Sequence, residues 1–343
     1  MKKIIFLSLF LGLIFNSISA QSQKQVLTEL DAYLTRTSNY MGNCPYAVIV
    51  SKNGEIIHEN YYDGGGAITP INQDSRWQLF SISKSFISAL MLNLVQEGII
   101  SLDDPIRNYL PAFESKGKGG FDRRDVTIRH LASHTSGTTY NRDETPSGFP
   151  EDLSKIEIAT EPGGPFLYSS LGTYLLELTL EAATGKDLDE LLQERVIRPL
   201  GLTSTGYVYD EEHLDGRILP MKPDIYSFSK KGLRVGTGLF TTARDLNAFG
   251  NFWINPEKLF SKELRTEAWK LHGTSIFEGG HYGLLWWLFT DHGGYVMSGY
   301  QYKVNAVIPE KNVVVTVIRY PQNDAYFEKS ADKHAFVSFG NRL

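Results

Sequence analysis

The sequence predicts an α/β fold of the α+β kind. An antiparallel sheet is assembled from both chain ends and flanked by helices, with a mainly helical region inserted at about residues 100–235. Three observations lead there. The chain opens as helix, strand, strand; it closes with three β-rich runs in succession; and helical periodicity and loops dominate the stretch between.

Taken in order, "KQVLTELDAYLTRTS" (24–38) spaces Val26, Leu27, Leu30, Tyr33 and Leu34 along one helical side. "PYAVIVSKNGEIIHENYYDGGG" reads as two strands around Asn53-Gly54, a dipeptide suited to a tight hairpin because both positions tolerate positive φ. A strongly apolar helix follows from about Ser81 to Gly98, then "SLDDPI" as a capped turn. "TIRHLASHTSG" (127–137) reads as a short helix closed by Gly137, and "YLLELTLEAATGKDLDELLQERVIRPLGL" as two helices separated at Gly185. "FTTARDLNAFGNFWIN" (240–255) is amphipathic, with Thr242 as its cap. "GGYVMSG", "YKVNAVIPE" and "KNVVVTVIRY" read as consecutive strands, the last two joined by Pro309-Glu310-Lys311-Asn312, and a final helix covers 325–339. Joining the chain ends in one sheet brings the Ser81 helix close to the last strands, and a cleft between sheet and inserted helices is the natural place for a site.

Composition narrows the function. The 343 residues are 42% hydrophobic and 21% charged, the profile of a globular protein. Lys and Arg number 34 against 39 Asp and Glu, a net charge of −5, and no basic run supports nucleic-acid binding. The single cysteine, Cys44, excludes an internal disulfide and a cysteine zinc cluster. The N-terminus "MKKIIFLSLFLGLIFNSISAQSQ" has a basic start, an apolar core and small residues at Ser17, Ser19 and Ala20, the pattern of a secretory signal peptide over residues 1–20. The apolar run is short for a membrane span, so a secreted or periplasmic protein without a stable membrane anchor is expected.

Chemistry concentrates at "FSISKSF". Ser81 and Lys84, at i and i+3, share a helix face. A serine hydroxyl is a weak nucleophile until a neighbouring base takes its proton. A lysine serves as that base when an apolar pocket favours its neutral form, and Leu79, Phe80, Ile82, Phe86 and Ile87 supply apolar neighbours. The spacing alone is common; a helix N-cap serine beside a solvated lysine is the bland alternative. Tyr168, in "PFLYSSLGTYLL", is a second candidate, since a phenol held near a cation can relay a proton. Its bland alternative is core packing.

With these residues in view, the chain resembles the serine β-lactamase superfamily, on the class C β-lactamase and penicillin-binding side, whose motifs are S-x-x-K, Y-x-N and K-T-G or H-x-G. "SISKSF", "VTIRHLASHTSG", "PGGPFLYSS", "VIRPLGL", "GTGLFTTARDLNAFG", "YGLLWW" and "VIPEKNVVVTVI" resemble family landmarks in family order, and with the hairpin before them they cover roughly Val48 to Tyr320. The resemblance implies a β-lactamase/transpeptidase-like domain over 21–343 and a serine hydrolase acting through an acyl-enzyme. Ser81 would be the nucleophile, Lys84 its base and Tyr168 the proton relay, with an oxyanion hole from the N–H groups of Ser81 and Tyr300.

Two departures bear on substrate. Ser170 stands where class C enzymes have Asn. Met297-Ser298-Gly299 aligns best with the third motif, spaced back from Pro309, while His292-Gly293-Gly294 is a competing placement. Met297, Ser298, Gly299 and Ser170 would line the substrate site, and segment 207–235 would shape it. The departures favour small esters or amides over charged β-lactams, with a small-molecule or peptide substrate and no cofactor or metal. A β-lactamase, a D-amino-acid peptidase or carboxypeptidase, and a non-catalytic binding protein of the same fold are the alternatives. His130 and His134 have the i, i+4 spacing of a metal pair but no evident third ligand. Asp103-Asp104 reads as a turn, and Trp286, Trp287 and Tyr282 as either cleft lining or core.

Overall fold

The computed structural model describes residues 2–65, 70–117, 121–138, 152–207, 236–274, 280–321 and 329–343, with side chains from Gln21 and, in the last helix, from Asp332. Eight strands form one antiparallel sheet in the order β2-β1-β11-β10-β9-β8-β7-β6. β1 (Tyr46–Lys52) and β2 (Glu55–Tyr62) form the first hairpin, turning on Asn53 and Gly54 at φ 54° and 81°. β9 (Gly294–Gly299), β10 (Lys303–Ile308) and β11 (Val313–Arg319) form the closing meander. β11 pairs with β1 from Tyr46↔Arg319 to Lys52↔Val313, so both ends of the chain share the sheet as expected.

Strand alternation divides the apolar side chains between two cores. Val48, Val50, Val315 and Val317 point toward α1 (Lys2–Tyr40) and α9 (Lys329–Arg342), where they meet Leu30, Leu34, Phe336 and Val337. Ala47, Ile49, Val314 and Ile318 point the other way, into the larger core with α2 (Ser83–Gln96) and α7 (Ala243–Ile254). α2 is central: every residue from Ser83 to Leu94 is buried. Its polar side chains are therefore all committed. Ser85 and Ser88 donate to the carbonyls of Leu285 and Leu284, and Asn93 to that of Leu259.

The helical part comprises α3 (Ile128–Ala132), α4 (Ser170–Thr184), α5 (Leu188–Leu192) and α6 (Arg198–Leu200), with α8 (Lys262–Ala268) after α7. Gly185 ends α4 at φ 70°, the expected break. Three short strands, β3 (Trp77–Gln78), β4 (Gly206–Tyr207) and β5 (Leu239–Thr241), make a second small sheet, and β6 (Gly273–Thr274), β7 (His281–Tyr282) and β8 (Trp287–Phe289) extend the large one.

Some expectations change. α3 stops at Ala132 rather than running to Gly137. Gly137 instead lets the chain pass close to the Thr160 carbonyl at φ 75°, where a side chain would clash. Phe240 belongs to β5, so α7 begins at Ala243, capped by Thr242 Oγ1 accepting from Asp245 N at 3.2 Å. Of the segment 207–235, only Tyr207 lies among the described residues, as does only the part of the 325–339 helix from Lys329 onward. Among the described residues no helix is long and apolar enough to cross a membrane.

Candidate active site

The small sheet sets the position of Ser81. Trp77 and Gln78 pair with Thr241 and Phe240, and Leu79 N donates to Leu239 O at 2.8 Å. The chain then turns sharply: Phe80 takes φ 49°, a left-handed conformation that costs a non-glycine residue roughly 1 kcal/mol or more. The turn leaves Ser81 partly exposed between buried Phe80 and Ile82, one short turn ahead of α2. The bland alternative, Ser81 as the helix N-cap, does not hold; Ile82 occupies that place without a side-chain bond.

Lys84 is 1% exposed, which excludes the solvated lysine. Its Nζ lies 3.3 Å from Ser81 Oγ and 3.2 Å from the Gly236 carbonyl oxygen. Both partners are neutral oxygens. Gly236 N in turn donates to Glu177 Oε1 at 3.1 Å, so α4 holds the peptide that holds the lysine. Gly236 sits at φ 59°, and a Cβ there would lie 2.9 Å from Nζ. Neither Gly236 nor Glu177 stands in a motif that marks it as a site residue in the sequence. The Gly-Thr-Gly of "GTGLF" was the available signal, because repeated glycine marks close backbone approach.

Tyr168 precedes α4, whose cap Ser169 accepts from Gly172 N at 2.9 Å and from the Thr138 hydroxyl at 3.0 Å. The Tyr168 ring centre is 5.3 Å from Lys84 Nζ, and Tyr168 is 38% exposed, so it forms a cleft wall rather than core. Trp287 stacks along it at 6.2 Å, and His134 packs at 4.4 Å. His134, weighed from the sequence as half of a metal pair with His130, instead packs beneath Tyr168. It leaves α3 at φ 57°, so the i, i+4 relation to His130 does not hold. Its Nδ1 accepts from Ser169 N at 3.3 Å, while Nε2 is buried without a hydrogen-bond partner. Burial, and secondarily the charge of Lys84, push its pKa well below the ordinary histidine value, so the ring is a neutral prop beneath Tyr168. His130 is used in a helix cap with Thr127, and among the described residues no group of three His, Cys, Asp or Glu could hold a metal ion. Asp103 pairs with Arg129, and Asp104 bonds Ser101 N and Tyr109 OH, both turn contacts. Trp286, Trp287 and Tyr282 are buried.

The structure brings the segment Met297-Ser298-Gly299 beside the turn that carries Ser81. A Cβ on Gly299 would overlap the Leu79 carbonyl oxygen, so strand β9 approaches the turn before Ser81 as closely as a backbone can. The next residue, Tyr300, meets Phe80 edge-to-face at 5.4 Å. His292-Gly293-Gly294 lies at the opposite end of β9, about 17 Å away at 3.3 Å per residue, packed near His334 and Val337. Met297 differs from expectation: at 1% exposure it is a core residue, because its register places it against the larger core rather than in the cleft. Ser298 and Ser170 are half-buried.

Gly299→Ala is expected to lower kcat for an ester at least about 100-fold, the scale of a lost oxyanion donor. Steady-state kinetics beside a thermal melt check this; a wild-type kcat would show that the close approach is not needed.

A family model described as Beta-lactamase matches residues 43–332. Beta-lactamase-like protein 2 of Dictyostelium discoideum is 29% identical over 276 residues, 71% of this chain and 49% of that protein. Esterase EstB of Burkholderia gladioli is 30% identical over 185 residues, covering 48% and 47% of the two chains. The chain thus spans about half the length of the curated relatives it matches. The solved beta-lactamase/D-alanine carboxypeptidase from Yersinia pestis superposes with a TM-score of 0.75 at 21% identity, covering 93% of this chain and 99% of that one, a likeness of fold.

Proposed function

Because the chain belongs to the β-lactamase family of serine hydrolases, we propose that it is a secreted hydrolase of small, uncharged esters or amides, acting through an acyl-enzyme on Ser81. The observation that carries this is Lys84, buried and 3.3 Å from Ser81 Oγ, with a main-chain carbonyl as its other acceptor. In this reading Lys84 takes the hydroxyl proton as Oγ attacks the carbonyl carbon. The N–H groups of Ser81 and Tyr300 receive the oxyanion. Tyr168, propped by His134 and Trp287, passes the proton to the leaving group, and water then releases the acid by the reverse steps. The basic-start leader supports secretion.

Preference for uncharged substrates rests on which cations are free. Met297 is apolar and buried where the resemblance leads to a lysine. Among the described residues, two buried cations near β9 bond internal groups: Lys303 three protein oxygens, Arg319 the Asp332 carboxylate. A substrate carboxylate would enter the cleft without these partners. A hydrogen bond to a charged group is worth roughly 1.5–3 kcal/mol, so a short-chain nitrophenyl ester should exceed a chromogenic cephalosporin in kcat/KM by about 10- to 100-fold. The assay uses purified protein, with Ser81 labelling by a fluorophosphonate in parallel. A cephalosporin value above the ester value would overturn the substrate class.

A further inference from the structure

Lys303 opens β10 directly opposite Gly299, so its side chain emerges on the sheet face that carries the nucleophile turn. It is 1% exposed. Its Nζ donates to Arg319 O at 3.1 Å, Gln301 Oε1 at 3.3 Å and Tyr300 O at 3.4 Å, and lies 4.9 Å above the Phe80 ring centre. All three acceptors are neutral. The titratable group that acts on it from a packed element is Cys44, ahead of β1; Tyr300 and Arg319 meet it through their main-chain carbonyls, and the Arg319 side chain is paired with Asp332 of α9. Asp332 bonds both Arg319 and Tyr33, and burial pushes the Cys44 thiol up to about 11, so neither balances an ammonium here.

An amine buried on main-chain and amide oxygens is costly where a methionine would pack. The cost falls at one special place. Three non-glycine residues with positive φ surround Lys303: Phe80 at 49°, Gln301 at 62° and Tyr302 at 60°. Phe80 immediately precedes one proposed oxyanion donor, and Gln301 and Tyr302 immediately follow the other. We propose that Lys303 is a positioning residue of the oxyanion hole, its buried ammonium pinning the Tyr300–Tyr302 turn and the Phe80 ring so that the Ser81 and Tyr300 N–H groups converge while its charge backs the developing oxyanion. The inference rests on the hydrolase reading of Ser81.

A pH signature follows. Burial holds the Lys303 pKa down to about 7, so its charge is present below that pH and lost above it. Between about 7 and the ordinary lysine value near 10.4, the unfolded chain binds a proton that the folded chain does not, so this group makes stability rise with pH. Lys303→Met removes the charge while keeping an unbranched chain one atom shorter. At pH 6 it should lower kcat for the nitrophenyl ester about 10- to 100-fold with KM little changed, and the ratio to wild type should shrink toward one by pH 9. Its melting temperature should lose the wild-type rise over pH 7 to 9. A ratio constant across pH, or equal to one throughout, would overturn the proposal.

The second measurement uses the wild-type protein alone. The Lys303 13Cε titration midpoint should rise once Ser81 is phosphonylated, because a phosphonyl oxygen then fills the hole and coupling is reciprocal. An unmoved midpoint on labelled enzyme overturns the role of Lys303. Failure of the fluorophosphonate to label Ser81 at all refutes the hydrolase reading beneath it.

Discussion

Ser81→Ala is expected to remove ester turnover by roughly 10⁴- to 10⁶-fold, because in the proposed mechanism nucleophile, base and relay act as a unit and losing the nucleophile forfeits the whole covalent route. The structure makes this variant clean. Ser81 is partly exposed, and its one described side-chain contact is with Lys84 Nζ, which keeps the Gly236 carbonyl as a second acceptor. Deleting the hydroxyl therefore leaves the lysine bonded and the turn at Phe80 intact, and the melting temperature should move little. Fluorophosphonate labelling should vanish from the peptide carrying residue 81. Substantial residual turnover, or the same adduct on another serine, would move the nucleophile elsewhere. A wild-type protein that neither labels nor turns over any ester in a panel would favour a binding protein that has kept the fold.

How far this site was legible depends on whether its parts are coded by residue type. The hairpin at Asn53-Gly54, the α4 stop at Gly185 and the Thr242 cap were legible because each places a residue whose side chain, or lack of one, satisfies a local backbone need. Ser81, Lys84 and Tyr168 were legible as types, and the structure brings Lys84 into reach of the other two. Gly236 was not, because the Lys84 acceptor is its carbonyl, a group every residue has; only its close approach to the lysine requires glycine. His134 carried a misleading spacing, since periodicity assumes a helix that ends at Ala132. Strands β3 to β8 are two or three residues long, too short for a period of two to register, yet β3 and β5 set the entry angle to Ser81. Met297 was right in register and wrong in exposure: the strand was legible, but which face met the cleft depended on packing against the larger core.

Lys84→Arg and Lys84→Met, taken together, decide whether the lysine is a base or an anchor. A base must accept the Ser81 proton, which a guanidinium held protonated cannot do. Methionine keeps an unbranched chain, one atom shorter, and removes both charge and basicity. General-base catalysis contributes about 10²- to 10⁴-fold, so both variants are expected to lose acylation on that scale, read as the single-turnover burst with a nitrophenyl ester. If charge alone mattered, by holding Ser81 Oγ or steadying the Tyr168 phenol, arginine would stay near wild type and only methionine would fall. The pocket complicates arginine, since Lys84 is 1% exposed and fits against Gly236 without room for a Cβ. Thermal melts separate misfit from chemistry: a Lys84→Met protein that melts at or above the wild-type temperature and still fails to acylate places the loss on the missing base. Near-normal acylation in either variant would assign proton abstraction to another group, with the buried lysine left as an electrostatic support.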